Sequence, residues 1–295
     1  MTVEYTNLLT YVDDALAFAK CIPRHWSKFS NKIYCNHQKL AIYVLMQKLK
    51  QTTRGIVSIL RSSEELRLHL GLDDVPVHTT IVRFAKRIES LIPRMLGIRK
   101  AGTVAIDSTG FSLENRSAHY EKILEHQNIR LRRRSVKLSI ATETMNHDIL
   151  SFAVHLEHSH DTKDFKALLE GVHCDHVVAD KGYDSHDLRR HVVYKVKARP
   201  HIPYRNFGGP PRNLRKKFLL DPKIYHQRSI VENVFFCMKQ KFGSVLRNRT
   251  PASQTGEVIA KVLAHNLDRL QARAKNIIYL GLHQRRFIVQ FITSC

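Results

Sequence analysis

Two short apolar runs, Thr103-Val-Ala-Ile-Asp107 and His176-Val-Val-Ala-Asp180, constrain this chain more than any other feature. Each is rich in β-branched residues, is too short for a buried helix, and ends in an acid. Such runs read as strands buried on both faces, which belong in a sheet covered by helices. If the two strands are parallel neighbours, both carboxylates emerge at the carboxyl edge, where open α/β sheets place their sites. Between them, Lys137–Thr144 and Ile149–Leu156 read as strands joined by a hairpin at Met145–Asp148. Asp161 is placed to cap a helix over Thr162–Glu170. Taken alone, either acid is more readily explained as a cap or turn residue after a strand.

A third element supplies another acid. In Tyr225-His-Gln-Arg228-Ser-Ile-Val-Glu232-Asn-Val-Phe-Phe-Cys-Met-Lys239, the polar residues Tyr225, Arg228, Glu232 and Lys239 stand at offsets 0, 3, 7 and 14. At about 100° per residue of helix, these offsets share a strip about 60° wide. Val231, Val234, Phe235, Met238 and Phe242 form an apolar face beside it. In isolation this is an amphipathic helix with a charged edge. With Asp107 and Asp180 it makes three carboxylates from separate elements, which repel unless cations neutralise them. Mg²⁺ suits them, since it accepts a few carboxylate oxygens and keeps positions for water and phosphate. Mn²⁺ is the alternative ion.

Composition narrows the partner. Lys and Arg number 48 against 26 Asp and Glu, a net charge of +22. That excess favours a polyanion, most simply nucleic acid. No apolar run is long enough to span a bilayer, so no membrane role is expected. The N-terminus lacks a signal-peptide pattern, and five scattered Cys make neither a disulfide framework nor a zinc site, so a cytoplasmic protein is expected. Residues 1–98 read as helical, with segments at Leu8–Lys20, Gln38–Lys50 and Glu64–Leu72. A helix-turn-helix is placed near 64–92, where Pro76 stops one element and Thr79 or Thr80 caps a helix carrying Arg83, Lys86 and Arg87. Arg132, Arg133 and Arg134, in a second basic run, are further candidates for phosphate contact. Tyr194, Tyr204 and Phe207 lie in a basic stretch and suit either base stacking or burial. His158-Ser-His160-Asp161 reads as a strand running into a cap rather than a metal cluster.

Asp107-Ser-Thr-Gly, Asp180-Lys-Gly-Tyr-Asp184 and Tyr-x2-Arg-x3-Glu-x6-Lys together resemble the DDE transposases of prokaryotic insertion sequences. The resemblance is to the group marked by the Tyr-Arg-Glu-Lys pattern, and it covers about residues 75–270. It implies an RNase H-like mixed sheet flanked by helices, with a catalytic domain over 99–275. Apolar spacing reads Gly256–Ala274 and about Ile277–Ile292 as C-terminal helices, the second within a segment 276–295 that lies outside the resemblance and has no assigned role. The resemblance also implies two divalent ions on Asp107, Asp180 and Glu232, DNA phosphates on Arg228 and Lys239, and Tyr225 against a strand end. The substrates would be element ends and target DNA, the active complex a homodimer, and the location the nucleoid of a prokaryotic cell. A non-catalytic DNA-binding derivative and another RNase H-like nuclease are the alternatives. Glu232 follows Asp180 by 52 residues, short for relatives with a β insertion that carries a hairpin-stabilising Trp; the one Trp here is Trp26.

Overall fold

The computed structural model describes residues 8–30, 32–93, 96, 100–113, 126, 135–156, 159–205 and 220–279. They group into two compact units. One runs through Ile92 and takes up Lys241–Gly243 and the chain from Arg247; the other holds Pro93–Gln240 and Ser244–Leu246.

The second unit is built on a mixed sheet in the order β3-β2-β1-β4-β5. Its strands are β1 (Lys100–Leu113), β2 (Ser135–Glu143), β3 (Ile149–His155), β4 (His173–Ala179) and β5 (Arg199–His201). β1, β2 and β3 pair antiparallel, while β1, β4 and β5 run parallel. This is the RNase H-like arrangement that the sequence predicts. The Glu143 carboxylate holds the hairpin by accepting from the amides of Met145 and Asn146 at 3.0 and 2.7 Å. Val104, Ile106 and Val177 meet Phe165, Leu168, Leu188 and Val192 in the core on one sheet face.

Three local expectations change. β1 does not end at Asp107, where the apolar run stops: Ser108-Thr-Gly stays extended because β2 pairs with it as far as Ser112 and Ser135. The helix after β3 is a 3₁₀ turn, Asp161–Lys163, then a single turn α6 (Phe165–Leu168). Asp161 is drawn away from capping by Lys137, whose ammonium lies 2.8 Å from it. Chain beyond β4 forms α7 (His186–Arg190), a π-helical turn His191–Val196, and later α8 (Pro222–Tyr225) and α9 (Ser229–Phe242); a short β6 (Val245–Leu246) adds to the end of β1.

The other unit is helical: α1 (Leu8–Ala19), α2 (Asn36–Lys48), α3 (Thr53–Ser62), α4 (Glu64–His69), α5 (His78–Ala85) and α10 (Pro251–Tyr279). The sequence reading misses α3. Gly71, at φ +61°, closes α4 where a left-handed residue lets Leu72 bond back to Arg67. Helix α5 begins at His78 with Val77 before it, so Thr79 and Thr80 sit inside its first turn and cap nothing. Helix α10 is buried on all sides between Ser253 and Ala264, and it groups with these helices although the sequence reading carries the sheet domain to residue 275. It also continues to Tyr279, past the helix start expected at Ile277. Its buried Lys261 donates to the carbonyls of Phe242 and Gly243, and its buried Glu257 accepts the amides of Arg247 and Asn248.

Candidate active site

The parallel ladder between β1 and β4 places the first two acids. Its last pair is Ile106 with Ala179. Asp107 and Asp180 are the next residue on each chain, so they stand side by side at about the inter-strand spacing of 4.8 Å. Burial raises the Asp107 carboxyl, and the nearby Asp180 adds to the rise, against the Ser108 amide (2.8 Å from its Oδ1) and the Arg228 charge. Asp180 also acts as a cap, accepting from the Gly182 amide of a 3₁₀ turn Lys181–Tyr183. It is therefore both the turn residue and the carboxylate that the sequence allows.

The segment bearing Tyr225 and Lys239 is not one helix. Tyr225 ends α8, a 3₁₀ turn spans His226–Arg228, and Glu232 lies in the first turn of α9. The single 100° strip fails across that break, yet its residues still converge. Arg228 Nη2 lies 2.7 Å from Glu232 Oε1, and its Nη1 is 3.9 Å from Asp107 Oδ2. Tyr225 is half-buried and near Arg228, whose charge Glu232 stabilises against the opposing effect of burial. Further along, the Lys239 ammonium donates to the Thr109 hydroxyl at 2.6 Å and lies over the Phe111 ring, with burial lowering its pKa. Asp107, Thr109 and Phe111 are alternate residues of β1, so one strand face carries contacts at both ends of α9.

Glu232 thus faces Asp107 through a guanidinium. Among the described residues, no three carboxylate, imidazole or thiol groups form a ready metal cluster. The donor set still fits a hard divalent ion: two adjacent carboxylates, one raised by burial and by its neighbour, with a third joined to them by a side chain that supplies positive charge.

Sequence reasoning misses two supports. Ser108 Oγ meets Ser139 Oγ at 2.9 Å, and Ser139 donates to the buried Asp164 at 2.6 Å, which also pairs with His155 at 2.6 Å. Alternation of Lys137 and Ser139 along β2 is the signal for that polar row. Beyond Asp180, buried Asp184 accepts from Arg189 at 3.0 Å and from the Arg205 amide at 2.7 Å, while the Arg205 guanidinium donates to the Lys181 carbonyl at 2.7 Å. This clip fixes the turn that follows Asp180. Tyr204 lies under Arg189, and Tyr194 is exposed.

Of the remaining candidates, Arg83 is exposed on α5, Lys86 ends that helix, and Arg87 lies beyond it over the Trp26 ring. Arg132, Arg133 and Arg134 lie outside the described residues, as do His158 and Phe207. No described helix is long and apolar enough to cross a membrane.

A family model described as "Transposase DDE domain" matches residues 99–267. Among solved structures, the chain is similar to the piggyBac transposase in a cryo-EM synaptic complex with hairpin DNA. The two are 11% identical at a TM-score of 0.48, over 98% of this chain and 77% of that one. No curated protein matches the sequence.

Proposed function

Because the chain belongs to the DDE transposase family, we propose that it cuts the ends of an insertion sequence and joins the freed 3′-hydroxyl to target DNA. The reading includes the insertion-sequence group with the Tyr-Arg-Glu-Lys pattern and a homodimer that holds two ends. The observation that carries it is the adjacency of Asp107 and Asp180 just past the last β1–β4 pair, with Glu232 drawn to Asp107 by Arg228.

Asp107, Asp180 and Glu232 would hold Mg²⁺, or Mn²⁺ in its place. Such ions, when bound, activate a water or hydroxyl oxygen and stabilise the leaving oxygen of an in-line displacement. The chain's own residues position and neutralise. Arg228 keeps Asp107 and Glu232 compatible before DNA arrives and can turn its fork to a phosphate, which it matches in a bidentate way. Lys239, anchored on Thr109, presents a point charge at a fixed place along α9. The polar row from Ser108 to Asp164 holds β1 and β2 in register beneath Asp107.

A second reading is a DNA-binding derivative without catalysis. It draws on Glu232 facing Arg228 rather than the two aspartates. DNA bearing the repeats that flank the reading frame separates the two readings. With Mg²⁺, the transposase nicks at the repeat ends, and Asp180→Asn binds the same DNA without nicking it. Binding by the wild type with no cutting in either Mg²⁺ or Mn²⁺ would favour the derivative.

A further inference from the structure

Between Asp14 and Glu64 the chain contains no Asp or Glu, against nine Lys and Arg. Part of that stretch links α1 to α2 and is a built loop. Its two ends are tied together: the Asn36 amide donates to the Arg24 carbonyl at 2.7 Å, the Asn36 side chain to Pro23 at 2.9 Å, and His37 to Ile22 at 2.9 Å. Within the loop, the Ser27 amide donates to Ser30 Oγ at 3.0 Å. Closed ends and internal bonds are the marks of an Ω-loop.

The loop presents an unusual combination. Phe29 is 86% exposed and Ile33 66%, and among them stand the exposed cations Arg24, Lys28 and Lys32. Lys28 lies over the Phe29 ring, and Arg87 lies over Trp26 at the same loop. The cations converge: besides desolvation, the charges of Arg24, Lys32, Lys39 and His37 all push His25 toward its neutral form. Asp74 lies near the base, where burial and then its charge raise the Tyr34 phenol. Phe29 thus stands out as a large exposed ring on a bonded loop among cations, the kind of feature that marks an interaction site.

We propose that this loop is a DNA-binding site, with Arg24, Lys28 and Lys32 on backbone phosphates and Phe29 stacked on an unpaired base. The excess of Lys and Arg on the loop, with Asp74 only near its base, supplies the phosphate attraction, and an exposed ring flanked by cations supplies a stacking platform. A second protein chain would need an acidic face, whereas DNA meets every one of these groups with phosphate or base. Arg87, expected as part of a helix-turn-helix, belongs to this surface through Trp26. The inference rests on DNA being the substrate, and it concerns binding alone.

Anisotropy of labelled DNA at rising salt tests it, using wild type, the Arg24→Ala/Lys28→Ala/Lys32→Ala variant, single Lys28→Ala, Phe29→Ala and Asp180→Asn. The triple variant should lower the slope of log affinity against log salt by about 2.7 and the single variant by about 0.9. Phe29→Ala should keep the slope and lose roughly tenfold in affinity for DNA with a single-stranded end. A wild-type slope in both Lys variants overturns the loop site while leaving the transposase reading intact. Loop-dependent binding by a wild type that never cuts DNA does the reverse. Unchanged DNA binding with lost binding to phosphatidylserine vesicles would make the loop a membrane contact and also overturn the proposal.

Discussion

The guanidinium of Arg228 lies 2.7 Å from the carboxylate of Glu232, one helical turn further along the chain. The same guanidinium reaches toward Asp107 on β1, so a local i,i+4 pair also joins two elements of the sheet unit. Arg228→Ala should leave stability within about 1 kcal/mol, because the pair is partly exposed. DNA cleavage should fall at least tenfold, with the salt slope of DNA binding lower by about 0.9 for one lost phosphate contact. Thermal melts beside cleavage rates check this, and a loss of several kcal/mol would mean that Arg228 is chiefly structural.

Arg189 and Asp184 form an ion pair with both side chains almost wholly buried. Arg189→Met strands the Asp184 carboxylate and should cost about 3–5 kcal/mol. The double change Arg189→Met/Asp184→Leu should recover much of that loss by removing the orphaned charge. Urea unfolding of the three proteins measures both effects.

Gly256 approaches the backbone of Ala85, and a Cβ added there would stand 2.0 Å from the Ala85 carbonyl oxygen. Helix propensity alone would make Gly256→Ala stabilising by about 1 kcal/mol. The backbone clash reverses the sign, and a net loss of about 3 kcal/mol is expected in chemical unfolding.

His201 is buried on the edge strand β5. Burial first, then the charges of His176 and Arg199, hold its pKa at about 4. Its Nδ1 accepts the Asp221 amide at 3.3 Å and its Nε2 meets His176 Nδ1 at 3.2 Å, so protonation would face one N–H with another. The unfolded imidazole titrates near 6.5 and the folded one lower, so stability is full above about 6.5 and falls as pH drops toward 4. A loss of roughly 2 kcal/mol is expected, discounted for the solvent beside an edge strand. Melts from pH 7 to 4 should show this decline, and His201→Gln should flatten it.

The sheet was legible because its strands carry period-two or continuous β-branched patterns that few other structures satisfy. Asp180 was placed correctly by that pattern. Asp107 was read as a strand end because the apolar run stops there; nine residues of pairing with β2 carry the strand on through the polar Ser-Thr-Gly. The break between Tyr225 and Ser229 leaves no Gly or Pro in the sequence, so a continuous helix was the natural reading. Most of helix α10 was legible as a helix over Gly256–Ala274, but its place among the N-terminal helices was not, because its buried face includes Gln254, Glu257, Lys261 and His265, which a sequence reader assigns to solvent. Their partners, such as the Phe242 and Gly243 carbonyls, come from distant chain and leave no local signal.

The central claim is that Asp107 and Asp180 act as metal ligands in DNA cutting. Replacing Asp107 by Cys puts a soft thiolate where a hard carboxylate stood, and Mn²⁺ accepts sulfur better than Mg²⁺ does. The most direct measurement is cleavage of end-bearing DNA by wild type, Asp107→Cys and Asp107→Ala in each ion. The account predicts cutting by wild type with both ions, by Asp107→Cys with Mn²⁺ alone, and by Asp107→Ala with neither. Wild-type cleavage by Asp107→Ala in Mg²⁺ would contradict it.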